Sequence, residues 1–404
     1  MSDGLRAASL EPLAAGARAA GRLALDTEFM GEGRYRTLLC LIQLAIPDRS
    51  GTDERLELLD PLAGGSETDA DDLKSMLADA AVQIVVHAGR QDIALLRRRY
   101  GTPVRNVFDT QVAAGFAGLG AQCSYETLLA EILGVRVSKS ASFTRWDARP
   151  LSAEQLAYAR EDVVHLLALA SELERRLSAR ERLSWAREEC QALEQASDER
   201  DLDAIFERLP RIRTLNPSAR RVAREIVAWR ERTASAEDRP VPSVLADAAL
   251  VEIARRHPAS RAELSQIRGA GAGNRPRRAQ QLLEVIARAR QLPGDPPPAA
   301  QRVPMARPED APLIALAEAL VRARAREAGL AHELLATRAD LQQILVSSRE
   351  KGSDGEARTL RGWRRELVGA ELLELLDGRL SLAVSGRQLS IEPRASAQSP
   401  EEGS

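Results

Sequence analysis

The sequence predicts an N-terminal α/β domain, in which helices cover a mixed sheet, followed by two mainly α-helical domains. Three observations carry this expectation. Residues 1–178 alternate short apolar runs with helix-period patterns. From about residue 200 nearly every apolar pattern has helical period. Between two helical stretches lies LPGDPPPAAQRVP (292–304), whose prolines neither continue a helix nor join a ladder. The expected domains are 1–200 (α/β), 201–292 (helical) and 309–392 (helical), with a linker at 293–308 and a disordered tail at 393–404.

Taken in order, LALDTEF (23–29) alternates at period two and LCLIQLAI (39–46) follows as a second strand. MGEGRYRT between them reads as a turn, so the pair is antiparallel. LELLD (56–60), QIVVH (83–87) and VRNVFD (104–109) supply further strands. Helical patterns fall at 71–79, 90–100, 110–118, 124–134 and 153–177. The last opens with Ser152 and Gln155 at capping-box spacing. The helical region then runs through DLDAIFERLP, SARRVAREIVAWRER, VLADAALVEIARR, SRAELSQI and RRAQQLLEVIARAR. The final block is also mostly helical and ends in the strand-like LSLAVSGRQLSIE.

The composition, 44% hydrophobic with a net charge of -2, is that of an ordinary soluble protein. Cys40, Cys123 and Cys190 form no CxxC pair, which predicts free thiols in a reducing compartment. With no apolar run long enough for a membrane span, the expected location is the cytoplasm. Residues 203–292 hold 18 Arg against 10 Asp and Glu, a net of +8. Such an excess suits a polyanionic partner, although a solvated arginine-rich face explains it equally well.

The carboxylates carry the chemistry. Asp26 and Glu28 are two apart on a strand, so both leave the same face, with Cα atoms roughly 7 Å apart. Their repulsion is on the order of 2 kcal/mol at an intermediate dielectric, so the face needs water or a cation. Asp92 follows QIVVH by a short turn, at the start of a helix. Tyr158 and Asp162 stand at i and i+4, neighbours on one helix face. Singly, each of these is an ordinary surface feature. Together, four acids on three elements form a cluster that repels itself unless divalent cations neutralise it. Hard oxygen ligands favour Mg²⁺ or Mn²⁺, and two such ions can clamp a phosphodiester on its attacking and leaving oxygens.

LALDTEF, VVHAGRQDIALL, VFDTQVAA and RWDARPLSAEQLAYAREDVVHLL resemble the exonuclease motifs of the ribonuclease D family. That resemblance implies a ribonuclease H-like exonuclease domain with the tyrosine-bearing (DEDDy) site. It makes Asp26, Glu28, Asp92 and Asp162 the metal ligands and Tyr158 the group that positions the attacking water. It sets His87 at a substrate-side position, with a core histidine as the alternative. Phe29 either stacks on the terminal base or packs in the core. AWRERTASAEDRPVPSVLADAALVEIARR and SQIRGAGAGN resemble the helicase-and-ribonuclease-D C-terminal (HRDC) module. Block 309–391, with LLATRADLQQIL and LRGWRRELVG, resembles a second, degenerate copy. Two departures stand out: Ala279 where the module often has glycine, and Arg145 where many relatives have aspartate.

The implied activity is two-metal 3′→5′ hydrolysis of RNA to 5′-monophosphates, with structured RNA such as transfer RNA precursors as substrate. A DNA-directed exonuclease and a nucleic-acid-binding protein with an inactive nuclease fold are the rival readings.

Overall fold

The computed structural model describes residues 9–47, 54–64, 67–137, 145–270, 276–296, 307–349 and 357–394. The apolar α1 (Glu11–Ala20) leads into β1 (Arg22–Met30), β2 (Leu38–Pro47) and β3 (Glu54–Leu59), an antiparallel meander. Then α2 (Glu67–Ala78), β4 (Gln83–Val86), α3 (Arg90–Tyr100) and β5 (Val107–Asp109) follow, and β4 and β5 run parallel to β1. The sheet order β3-β2-β1-β4-β5 places β1 at the change from antiparallel to parallel pairing. Leu23, Leu25, Ile42 and Leu44 point to a core under α1, α2 and α3.

The opposite face carries α4 (Thr110–Phe116), α5 (Tyr125–Leu128), α6 (Ala153–Val164), α7 (Leu166–Ser178) and α8 (Leu183–Gln191). Where the sequence predicts a single helix over 153–177, the chain breaks at His165 (φ −114°, ψ 3°). The apolar periodicity runs through that break without Gly or Pro, so the pattern alone hides it. The break lets α6 lie over β1–β3 while α7 crosses toward β4. The capping box of Ser152 and Gln155 is present. The predicted 124–134 helix is short and closes in a π-turn at Leu129–Leu133, and the strand predicted from 104 begins only at Val107. Helices α1 and α8 are additions to the sequence-based set.

The middle region comprises α9 (Leu202–Glu207), α10 (Pro217–Ala236), α11 (Val241–Val244), α12 (Asp247–Arg256), α13 (Arg261–Ser265) and α14 (Pro276–Ala289). Asn216 caps α10, with Pro217 at its first position. Ala279 is buried against this region's own core, where Phe206, Ile226 and Ile286 meet. The fully buried Arg220 pairs through Nη2 with Glu207 at 2.7 Å and lies over the Phe206 ring, 4.8 Å from its guanidinium, while its Nε has no partner among the described residues. Residues 271–274 of the RGAGAGN segment, Arg275 and residues 297–306 of the proline-rich linker lie outside the described residues, as do residues 395–404 of the tail, whose predicted start at 393 falls on the last residue of a strand.

The last block holds α15 (Ala311–Ala328), α16 (His332–Leu335), α17 (Arg338–Arg349), α18 (Gly362–Arg364) and α19 (Ala370–Leu376). It closes with the hairpin β6 (Leu380–Ser385) and β7 (Gln388–Pro393), at the strand-like segment. Its apolar side chains join the α/β domain in one continuous core, with Leu320, Trp363 and Val368 packed among Phe116, Leu173 and Leu177. Trp363 stacks on Trp185 (5.3 Å, 15°) and meets Phe116 edge-on. The middle region touches the α/β domain mainly through polar groups: Arg34 with Asp238, and Tyr35 and Arg200 with Glu231. No helix among the described residues is long and apolar enough to cross a membrane.

Candidate active site

Beyond Ala24 the β4 side of β1 is unpaired, because β4 pairs only with Arg22–Ala24. The turn after β4 delivers the start of α3, with Asp92, into that notch. Asp109 fixes this turn. Its buried carboxylate accepts from the N–H groups of Ala88 (3.1 Å) and Gly89 (2.9 Å), and from Gln111 and Val112 as the cap of α4. Gly89 has to be glycine, since a Cβ there would lie 2.5 Å from Val86. On the other side of β1, Cys40 bulges from β2 opposite the Glu28–Phe29 link, and Arg149 Nη2 donates to its carbonyl at 2.8 Å.

Asp26 and Glu28 project from β1 toward α6, which brings Asp162 to them. Ligand oxygens of Asp26, Glu28 and Asp162 all lie within 4.8 Å of one another. Burial, then the charges of Asp92, Asp162 and Glu28, hold the Asp26 carboxyl well above the usual carboxylate range. Glu28 is pushed up to about 8 by burial and by the Asp162 and Asp92 charges. Asp162 rises to about 7 through burial and the charges of Glu126 and Glu161, against a lowering hydrogen bond from the Tyr158 hydroxyl. Burial and the neighbouring Asp162, Glu28 and Asp26 charges raise Tyr158 as well, so it stays a neutral donor. Asp92 stands outside the three-carboxylate group. Its carboxylate accepts from the Thr27 hydroxyl on the reverse of β1, and burial raises it to about 6.

Phe29 is 37% exposed, which removes the core reading for that ring. His87 is mostly enclosed, with Nδ1 at 3.0 Å from Thr110 Oγ1 and its ring 5.6 Å from Tyr125. Burial lowers its pKa, so the imidazole is neutral. Arg145 pairs with Asp147, and among the described residues it makes no ion pair with Asp26, Glu28, Asp92 or Asp162. Thr27, Asp109 and Tyr125 are neighbours of the site that sequence reasoning passed over. Only Asp109 left a trace, as a helix-capping residue type directly after a strand.

Such a cluster fits a hard divalent cation. The donors are all carboxylate oxygens, and Asp162 Oδ2 is buried with no hydrogen-bond partner among the described residues. The raised pKa values fix the pH behaviour. Groups held above their unfolded values stabilise the fold below pH about 4, and this contribution is lost as pH rises through about 6 to 8. Metal-free protein should therefore melt at lower temperature at pH 8.5 than at pH 6. A cation needs the same groups ionised, so stabilisation by Mn²⁺ should be larger at pH 8.5. Melting curves in EDTA and in Mn²⁺ at both pH values test this, and a Mn²⁺ effect that shrinks with pH contradicts it.

The 3′-5′ exonuclease family model matches residues 5–178 and the HRDC domain model residues 219–286. A ribonuclease D from Granulibacter bethesdensis is 37% identical over 91% of this chain and 90% of its own length. One from Gluconacetobacter diazotrophicus is 36% identical over 92% and 91%. The solved structure of Escherichia coli RNase D, described as an exoribonuclease involved in structured RNA processing, superposes with a TM-score of 0.77 at 28% identity, covering 91% of this chain and 96% of that one. With a 3′-5′ exonuclease domain, an HRDC domain and relatives matched along nearly their whole length, the chain belongs to the ribonuclease D family.

Proposed function

We propose that the protein is a 3′→5′ exoribonuclease that removes nucleotides hydrolytically from RNA 3′ ends and releases 5′-monophosphates. The observation that carries this is the convergence of Asp26, Glu28 and Asp162, with the Tyr158 hydroxyl bonded to Asp162. Asp26, Glu28 and Asp162 would hold one Mg²⁺ or Mn²⁺, and Asp92 a second together with Asp26. Bound there, the ions supply the positive charge that draws the phosphodiester in and stabilises its transition state. Tyr158, kept protonated, orients the attacking water through its oxygen. Phe29 offers an accessible ring for the terminal base, and neutral His87 is held beside Tyr125 to face the substrate. Structured RNA, transfer RNA precursors among it, is the substrate class this reading favours. The test is a 5′-labelled RNA and the matching DNA with Mg²⁺, Mn²⁺ or EDTA. A metal-dependent ladder shortening from the 3′ end, faster on RNA, is the expected outcome. RNA that is bound and never shortened would leave a binding protein.

Residues 309–392 are read as a second HRDC-like domain, and the helix plan supports this. In both helical regions a long helix is followed by a four-residue helix, α11 or α16, and two residues later by α12 or α17. Leu245 (φ −161°, ψ 123°) and Ala336 (φ −154°, ψ 139°) end the short helices in the same extended conformation.

In this reading the first helical domain holds the RNA body. Tyr35 and Arg36, in the β1–β2 loop, line a cleft of about 410 Å³ with Arg200 and Arg232. Arg36 and Arg232 have no ion-pair partner among the described residues. Each phosphate contact to a single strand contributes about 0.7 to the slope of log affinity against log salt. Replacing both arginines with alanine should flatten that slope by about 1.4. A slope that stays put in a salt titration would take this cleft out of the RNA path.

A further inference from the structure

Gln43 is the one amide in the apolar run LCLIQLAI of β2. It is 0% exposed, and neither Oε1 nor Nε2 has a hydrogen-bond partner among the described residues. Buried polar groups in folded proteins are nearly always satisfied, by protein or by ordered water. Packing alone gives no reason for an amide here, because methionine has nearly the same shape without polar atoms to desolvate.

The register supplies a reason. Gln43 pairs directly with Asp26 across β1 and β2. Directly opposed residues leave the same face, with Cβ atoms roughly 4.5–5.5 Å apart. Asp162 Oδ2 is also buried without a partner among the described residues, and it belongs to the same carboxylate cluster as Asp26. An enclosed water needs two to four polar neighbours, which the amide and the Asp26 and Asp162 carboxylates provide.

We propose that Gln43 is a positioning residue for the metal centre: through an enclosed water, its amide holds the Asp26 carboxylate in the orientation that ligates a divalent cation. This rests on the reading of Asp26, Glu28 and Asp162 as a cation site. An amide is suited to the task because it donates to a carboxylate without a charge that would compete with the cation. Groups that orient ligands in this way typically change metal affinity by about 10–100-fold when removed.

The experiment is Mn²⁺ binding to wild type, Gln43→Met and Asp26→Asn, followed by calorimetry, with thermal unfolding of each in EDTA. Gln43→Met should bind Mn²⁺ at least about tenfold more weakly. It should melt in EDTA no lower than wild type, because a desolvated amide has gone. A core residue with no positioning role leaves Mn²⁺ affinity unchanged whatever the melting temperature, and that result overturns the proposal. If wild type binds no more Mn²⁺ than Asp26→Asn, the cation site itself is wrong and this proposal goes with it. A crystal structure of the unmodified protein with Mn²⁺ decides the matter even if the variant does not fold. A water bridging Gln43 to Asp26 supports the proposal, and an amide surrounded only by apolar atoms refutes it.

Discussion

Asp26→Asn should lower the rate of RNA shortening by at least about 10³-fold while leaving the fold intact. The metal contribution to phosphodiester hydrolysis is several kcal/mol, and each 1.36 kcal/mol is a factor of ten. Asparagine keeps the shape of aspartate but loses the anionic ligand. The variant should not unfold, because burial first, and then the charges of Asp92, Asp162 and Glu28, disfavour the Asp26 anion in the metal-free protein, and a neutral amide avoids that cost. Single-turnover rates on labelled RNA, with melting in EDTA, separate the two effects. A variant that works within tenfold of wild type would remove Asp26 from the site. One that is inactive because it is unfolded would say nothing about ligation, so both readouts belong together.

Glu189→Ala should have the largest effect on stability, about 3–5 kcal/mol. Glu189, on α8 of the exonuclease domain, receives a bidentate pair from Arg364 on α18 of the last block. The Arg364 Nε also donates to the Leu334 carbonyl at 2.6 Å, and its guanidinium lies 4.5 Å from the Trp363 ring centroid. Arg364 is 5% exposed, so removing Glu189 strands a desolvated cation. Gly362 sets up the contact through its positive φ of 50°, which turns the chain into the short helix carrying Trp363 and Arg364. Denaturant unfolding should show the loss, and Glu189→Gln, which keeps an acceptor, should lose less. A shift under about 0.5 kcal/mol for Glu189→Ala, within the range of an exposed pair, would mean that water reaches this contact freely.

The acids were legible because their spacing is local. Asp26 and Glu28 share a strand face, and Tyr158 and Asp162 share a helix face, so period alone aligns each pair. Strand existence and the meander were legible for the same reason. What the sequence hid depends on contacts far along the chain. Thr27 meets Asp92 from the opposite face of β1, and Asp109 pins the turn before α3 from a different strand. The break at His165 carries no local signal, and the role of Gln43 emerges only from the β1–β2 register. A lone glutamine in an apolar strand was the visible hint.

The shared core of the first and last blocks also has a consequence for synthesis. Phe116, Leu173 and Leu177 are covered by residues such as Leu320 and Trp363, which leave the ribosome after the whole middle domain. At about 5–20 residues per second, this apolar face would wait on the order of ten seconds for its cover. The nascent exonuclease domain should thus be a better chaperone client than the finished protein, and chains stalled before α15 should be the ones that aggregate.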